Sequence, residues 1–62
     1  MTATQLYSLY LYDKANGELV QVVKDVDQVL ARPMAMDLHC MNDVAVKVVD
    51  QSDGCVVYTL GL

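Results

Sequence analysis

Two strand-like blocks frame a middle stretch with helical spacing. Leu6–Asp13 alternates with both faces apolar: Tyr7, Leu9 and Leu11 on one side, Leu6, Tyr10 and Tyr12 on the other. A short run of this kind, bounded by a polar turn, reads as a β-strand covered on both faces. A polar Lys14-Ala15-Asn16-Gly17 follows, then a second apolar run from Leu19 to Val23. The same grammar returns as Val46–Leu60, where Asp50, Asp53, Gly54 and Val57 stand in the places of Asp13, Asn16, Gly17 and Val20. Glycine enters positive φ at little cost, and Asn or Asp tolerates turn geometry. The repeat therefore predicts two β-hairpins of one type, at about Leu6–Lys24 and Val44–Leu60.

Loop length sets the register. A tight turn centred on Asn16-Gly17 competes with a longer loop holding Gly17 left-handed. Gln51-Ser52-Asp53-Gly54 suits the longer loop equally well, so both hairpins are assigned to it. Tyr12 then lies opposite Leu19, Leu11 opposite Val20, Tyr10 opposite Gln21 and Leu9 opposite Val22. In the second hairpin Val49 faces Val56, Val48 faces Val57, Lys47 faces Tyr58 and Val46 faces Thr59. The tight turn would move each second strand to the opposite face, because a slip of one residue exchanges the faces.

The middle reads as a helix. Val26, Leu30, Met34 and Leu38 recur every fourth residue, with Met41 three further on, which draws one apolar stripe. Asp25 is placed to cap a helix start at Val26, with Gln28 completing a capping box. Pro33 costs about 3 kcal/mol in a helix interior but is welcome in a first turn. The expectation is a short turn or helix near Asp27–Ala31, then a main helix from about Pro33 to Met41 with Asn42 as its C-terminal cap. The rival is a strand at Met34–Cys40, giving a small five-stranded β-barrel. Met, Ala and Leu favour the helix, and the segment has no β-branched residue. The fold class is α+β: ββαββ, a four-stranded antiparallel sheet with one helix on one face. Residues 1–5 read as a lead-in.

Sixty-two residues make one small domain, 1–62. Such a chain buries only about 60% of the surface its unfolded form exposes. Its hydrophobic content of 55% exceeds what that interior can hold, so self-association is expected, most simply a homodimer. The register assigns Leu9, Leu11, Val20, Val22, Val44, Val46, Val48 and Val57 to an aliphatic face under the helix. The other face holds Tyr10, Tyr12, Leu19, Val23, Val49, Val56, Tyr58 and Leu60, interleaved with Ser8, Gln21 and Lys47. One helix cannot cover both. The candidate interface is Tyr10, Tyr12, Leu19, Gln21, Val49, Val56 and Tyr58, since Tyr joins apolar area to a polar tip.

Charge and chemistry narrow the function classes. Eight acidic residues against four basic ones give a net charge of −4, which disfavours a nucleic-acid backbone as partner. The lead-in has no basic segment and no apolar run approaches a membrane span, so a reduced cytoplasmic setting is expected, with Cys40 and Cys55 as free thiols. His39 and Cys40 are adjacent, and adjacent side chains diverge by about 100° on a helix, so no nucleophilic dyad is read there. His39 is expected exposed at a helix end, Cys40 buried and Cys55 at a strand edge. No metal-ligand spacing occurs. The acidic turns lack the length and terminal Glu of a calcium loop. No catalytic residue, cofactor or metal ligand is assigned. The expected function is a non-catalytic protein–protein interaction protein: a regulator, an assembly accessory, or an inhibitor from a phage or mobile element. It would act through the Tyr-rich face on a second copy or a heterologous protein. The alternative is a small-molecule-binding domain or small enzyme subunit with its pocket at an oligomer interface.

Overall fold

The computed structural model describes residues 5–61. Four strands and one helix follow the order β1 (Leu6–Asp13), β2 (Leu19–Asp27), α1 (Gln28–Asn42), β3 (Val44–Asp50) and β4 (Val56–Leu60). The sheet is open, antiparallel and ordered β2-β1-β3-β4. The two hairpins are thus joined through their first strands, and β2 and β4 are the edges. The lead-in expected at 1–5 lies, except for Gln5, outside the described residues.

The two loops repeat one hydrogen-bond pattern. Asp13 N–H donates to the Glu18 carbonyl at 2.8 Å and Gly17 N–H to the Asp13 carbonyl at 2.7 Å; Asp50 with Cys55 and Gly54 with Asp50 do the same at 2.9 and 2.8 Å. The side chains repeat as well. Asp13 accepts from Ala15 N–H and Asn16 from Glu18 N–H, as Asp50 does from Ser52 N–H and Asp53 from Cys55 N–H, all at 2.7–2.9 Å. Gly17 and Gly54 sit at φ 73° and 76°, where a side chain would be strained. These are the longer loops that the aligned Asp, Asx and Gly positions predict.

The register departs from expectation one residue beyond each loop. Tyr12↔Leu19 and Val49↔Val56 pair as predicted, but Leu11 then pairs with Gln21 and Val48 with Tyr58. Val20 and Val57 are extra residues, one β-bulge at the same place in each hairpin. Beyond the bulges the second strands change faces. Val23, not Val22, opposes Leu9, while Val22 opposes Tyr10. Leu60, not Thr59, opposes Val46. Val20 and Val57 are exposed rather than under the helix. A second irregularity in β2 lies between the pairs Leu9↔Val23 and Tyr7↔Val26. There Asp25 takes φ 59°, and Gln51 holds it twice, accepting from its N–H at 2.9 Å and donating to its carboxylate at 3.2 Å.

Asp25 therefore serves the strand, and the helix cap falls to Asp27, whose Oδ1 accepts from Val29 N–H at 2.9 Å. The helix runs unbroken through Pro33, not as the two pieces expected. The N–H that Pro33 lacks would have bonded the Val29 carbonyl. That group lies in the first turn beside a side chain 75% exposed, where water can reach it. Asp43, left-handed at φ 53°, ends the helix in place of Asn42. The buried stripe is also rotated: Ala31 and Ala35 are 1% and 0% exposed, whereas Leu30 is 56% and Met41 82% exposed. Small side chains let the helix come close to the sheet, and Met34 and Leu38 pack at its flanks. The core beneath is Leu9, Leu11, Val26, Val46 and Val48, bordered by Val23, Val44, Tyr7, Tyr58 and Leu60.

Candidate interaction surface

The helix occupies one side of the sheet and leaves the other open. Alternation from buried Leu9, Leu11, Val46 and Val48 turns Leu6, Ser8, Tyr10 and Tyr12 of β1 and Ala45, Lys47 and Val49 of β3 to that open side. Their cross-strand partners Val22, Leu19, Thr59 and Val56 join them. Lys47 is central. It lies directly opposite Tyr10, with its Nζ 5.2 Å from the Tyr10 ring centroid and 5.5 Å from that of Tyr12. A cation over aromatic faces is held by their quadrupoles, so the two rings and the ammonium form one unit. Around it the surface is close-knit: Ala45, opposite Tyr12, is 3% exposed and Ser8, opposite Val49, 5%. At its margins Leu19 and Val56 stand 51% and 52% exposed.

Five of the seven candidate interface residues are brought together here: Tyr10, Tyr12, Leu19, Val49 and Val56. Gln21 and Tyr58 are not. The bulges carry both to the helix side, Gln21 opposite Leu11 and Tyr58 opposite Val48. Tyr58 packs against the core, and Arg32 of the helix lies over its ring with Cζ 5.0 Å from the centroid. Burial pushes the Tyr58 hydroxyl above its ordinary pKa, with Arg32 opposing. Val22 takes the place on the open face given to Gln21. The Val22-Val23 pair offers no polar residue to mark which of the two points out.

The remaining chemistry-bearing groups are dispersed. His39 is half-buried, not exposed, and its Nδ1 lies 2.8 Å from the Val44 carbonyl. Cys40 is exposed, on the outer side of the helix rather than buried, and Cys55 is exposed too; both are free thiols. The turn carboxylates of Asp13, Asp50 and Asp53 accept from backbone N–H groups of their own loops. Those bonds hold Asp50 below the usual carboxylate range, led by the Ser52 backbone, with its hydroxyl and Gln5 assisting. Among the described residues no three His, Cys, Asp or Glu side chains come together as a metal site, and no helix is long and apolar enough to cross a membrane. At one end of the open face Tyr12, Lys14, Ala45 and Lys47 line a cavity of about 530 Å³. Lys14 also pairs with Asp43 at 3.1 Å. Protein-family models, curated proteins and solved structures were each compared with the chain, and none matches.

Proposed function

We propose that this chain is a non-catalytic interaction protein that docks the open face of its sheet onto a partner protein. The observation that carries the reading is the Tyr10–Lys47–Tyr12 unit, set in an apolar surface on a protein of net charge −4. Tyrosine is among the residue types that anchor interfaces, and half-buried Lys47 is held against both rings. The single ammonium fits a partner that offers a carboxylate ringed by apolar side chains. It disfavours this face against its own copy, which would bring two Lys47 side chains together. Covering another protein's surface is how a small regulator, assembly accessory or inhibitor acts.

The test is site-specific photocrosslinking in the native host. A photoreactive residue replacing Tyr10 should give one discrete heterologous adduct that disappears on Lys47→Glu. The same probe at Cys40, exposed on the outer side of the helix, should not give it. Equal adducts from both positions, or indifference to Lys47→Glu, refutes the reading. One feature favours a second reading, a small-molecule site: the cavity of about 530 Å³ flanked by Asp13, Lys14 and Lys47 has the size of a ligand pocket.

A further inference from the structure

We infer that two copies of this chain pair antiparallel along the outer edge of β4, about a two-fold axis at Thr59, to make one continuous sheet with both helices on the same side. The two edges of the sheet are unequal. An edge strand presents unpaired N–H and C=O groups, and proteins guard such edges with charges and bulges. β2 is guarded along its length: it bulges at Val20 and again near Asp25, and carries Lys24, Asp25 and Asp27. β4 is Val-Val-Tyr-Thr-Leu, with no charge and a single bulge at its start. In a protein of net charge −4 this edge is where two copies meet without like-charge repulsion.

Hydrogen-bond phase selects the centre. Asp50 N–H points to β4, where it meets the Cys55 carbonyl, and Gln51 N–H points to β1, where it meets the Leu6 carbonyl. Backbone groups alternate sides along a strand, so Val48 and Val46 also direct theirs to β4. Their partners Tyr58 and Leu60 use their amides and carbonyls on β3. Thr59, between them, turns both groups outward. A two-fold there makes Thr59 pair with itself, each N–H donating to the other carbonyl.

That register also completes the helix side. It sets Tyr58 opposite Leu60 of the second copy, both half-buried in the single chain. The flank beside β4 is under-filled in one chain. A cavity of about 220 Å³ lies between the first turns of α1 and β4, lined by Val29, Arg32, Val57 and Tyr58 among others. Val29 and Val57 are 75% and 43% exposed there. The Tyr58 hydroxyl is buried with no hydrogen-bond partner, a rare condition in a filled interior. The second helix, arriving on the same side, covers this flank. Half of a standard interface, about 800 Å², is roughly a fifth of the 4175 Å² that the chain exposes.

The test is sedimentation equilibrium of the full chain from about 1 µM to 1 mM, with circular dichroism to verify folding. Wild type should self-associate to a dimer. Thr59→Pro removes only the outward N–H, so β4 keeps its bonds to β3 while the dimer weakens at least about tenfold. Thr59→Lys, a charge on the edge, should do the same and serves if the proline variant does not fold. Tyr10→Glu, on the open face, should leave the dimer unchanged, which keeps this inference separable from the docking of a heterologous partner. A wild type monomeric throughout overturns the inference, as does a folded Thr59→Lys that still dimerises, or dissociation by Tyr10→Glu. Amide exchange gives an independent reading: the Thr59 N–H should be protected in the dimer and exchange freely on dilution, and free exchange within the dimer overturns the inference.

Discussion

Substitutions at Leu30 and Ala35 tell the observed helix face from the stripe of larger residues that the sequence draws. If Val26, Leu30, Met34 and Leu38 were the core face, Leu30→Ala would be a core truncation costing about 2–5 kcal/mol. In the structure Leu30 is 56% exposed, so less than half of its side chain is removed from water. Full burial of a leucine is worth about 1.5–3 kcal/mol. Truncation at Leu30 therefore loses about 0.5–1 kcal/mol, partly offset by the better helix propensity of alanine. Ala35 is 0% exposed and Ala31, one turn before it, 1%. Ala35→Leu has no surface to expand into and must push the helix off Leu9 and Val46 or force poor rotamers, at a cost of about 1–3 kcal/mol. The natural stability of a chain this size is about 3–9 kcal/mol, so the second change should be plain in the midpoint of a urea transition followed by circular dichroism, both variants being measured at one protein concentration because association shifts apparent stability. A Leu30→Ala loss above about 2 kcal/mol together with a neutral Ala35→Leu would refute the assignment of the helix face.

Two further predictions concern single polar residues. Asp25 is left-handed at φ 59°, so Asp25→Gly should be close to neutral, the relieved backbone offsetting the lost bond to Gln51, while Asp25→Val should cost about 1–2 kcal/mol from backbone strain alone; equal costs for the two in thermal melts would show that the bulge does not need that conformation. Asp50 is held below its ordinary value of 3.8 by the Ser52 backbone, the Ser52 hydroxyl and Gln5, so it binds its proton more weakly folded than unfolded. Its stabilising share should be complete above that ordinary value and fade as pH falls through the lowered folded one. The melting-temperature gap between wild type and Asp50→Asn should therefore close in acid, and a gap that widens there would contradict the assigned hydrogen bonds.

What the sequence discloses follows from where polar residues punctuate it. The loops were legible in length and in the left-handed glycine, because Asp13, Asn16 and Gly17 and their counterparts Asp50, Asp53 and Gly54 each have one role in a four-residue loop and repeat it. The strands β1 and β3 also face as predicted: Leu9, Leu11, Val46 and Val48 are buried in the core, and Tyr10, Tyr12 and Lys47 share the open side. The second strands were not legible. In Val20-Gln21-Val22-Val23 and Val56-Val57-Tyr58 a valine stands on either side of each possible slip, so the extra residue of a bulge leaves no break in hydrophobic pattern. The correct loop joined to an unseen bulge yields the faces that the wrong loop would have given, which is how Tyr58 moves from the expected interface to the core beneath Arg32. The helix shows the converse problem. Pattern reading weights Leu30 and Met41 above Ala31 and Ala35, whereas close packing against a sheet selects the small side chains. Lack of polar punctuation has a further physical consequence. A β4 whose residues are Val, Val, Tyr, Thr and Leu carries nothing to mark its faces for a reader, and equally nothing to keep a second strand from its edge. In β4 the lack of charge leaves both the register unmarked and the edge open, whereas β2, equally unmarked at Val20–Val23, is guarded by Lys24, Asp25 and Asp27 further along.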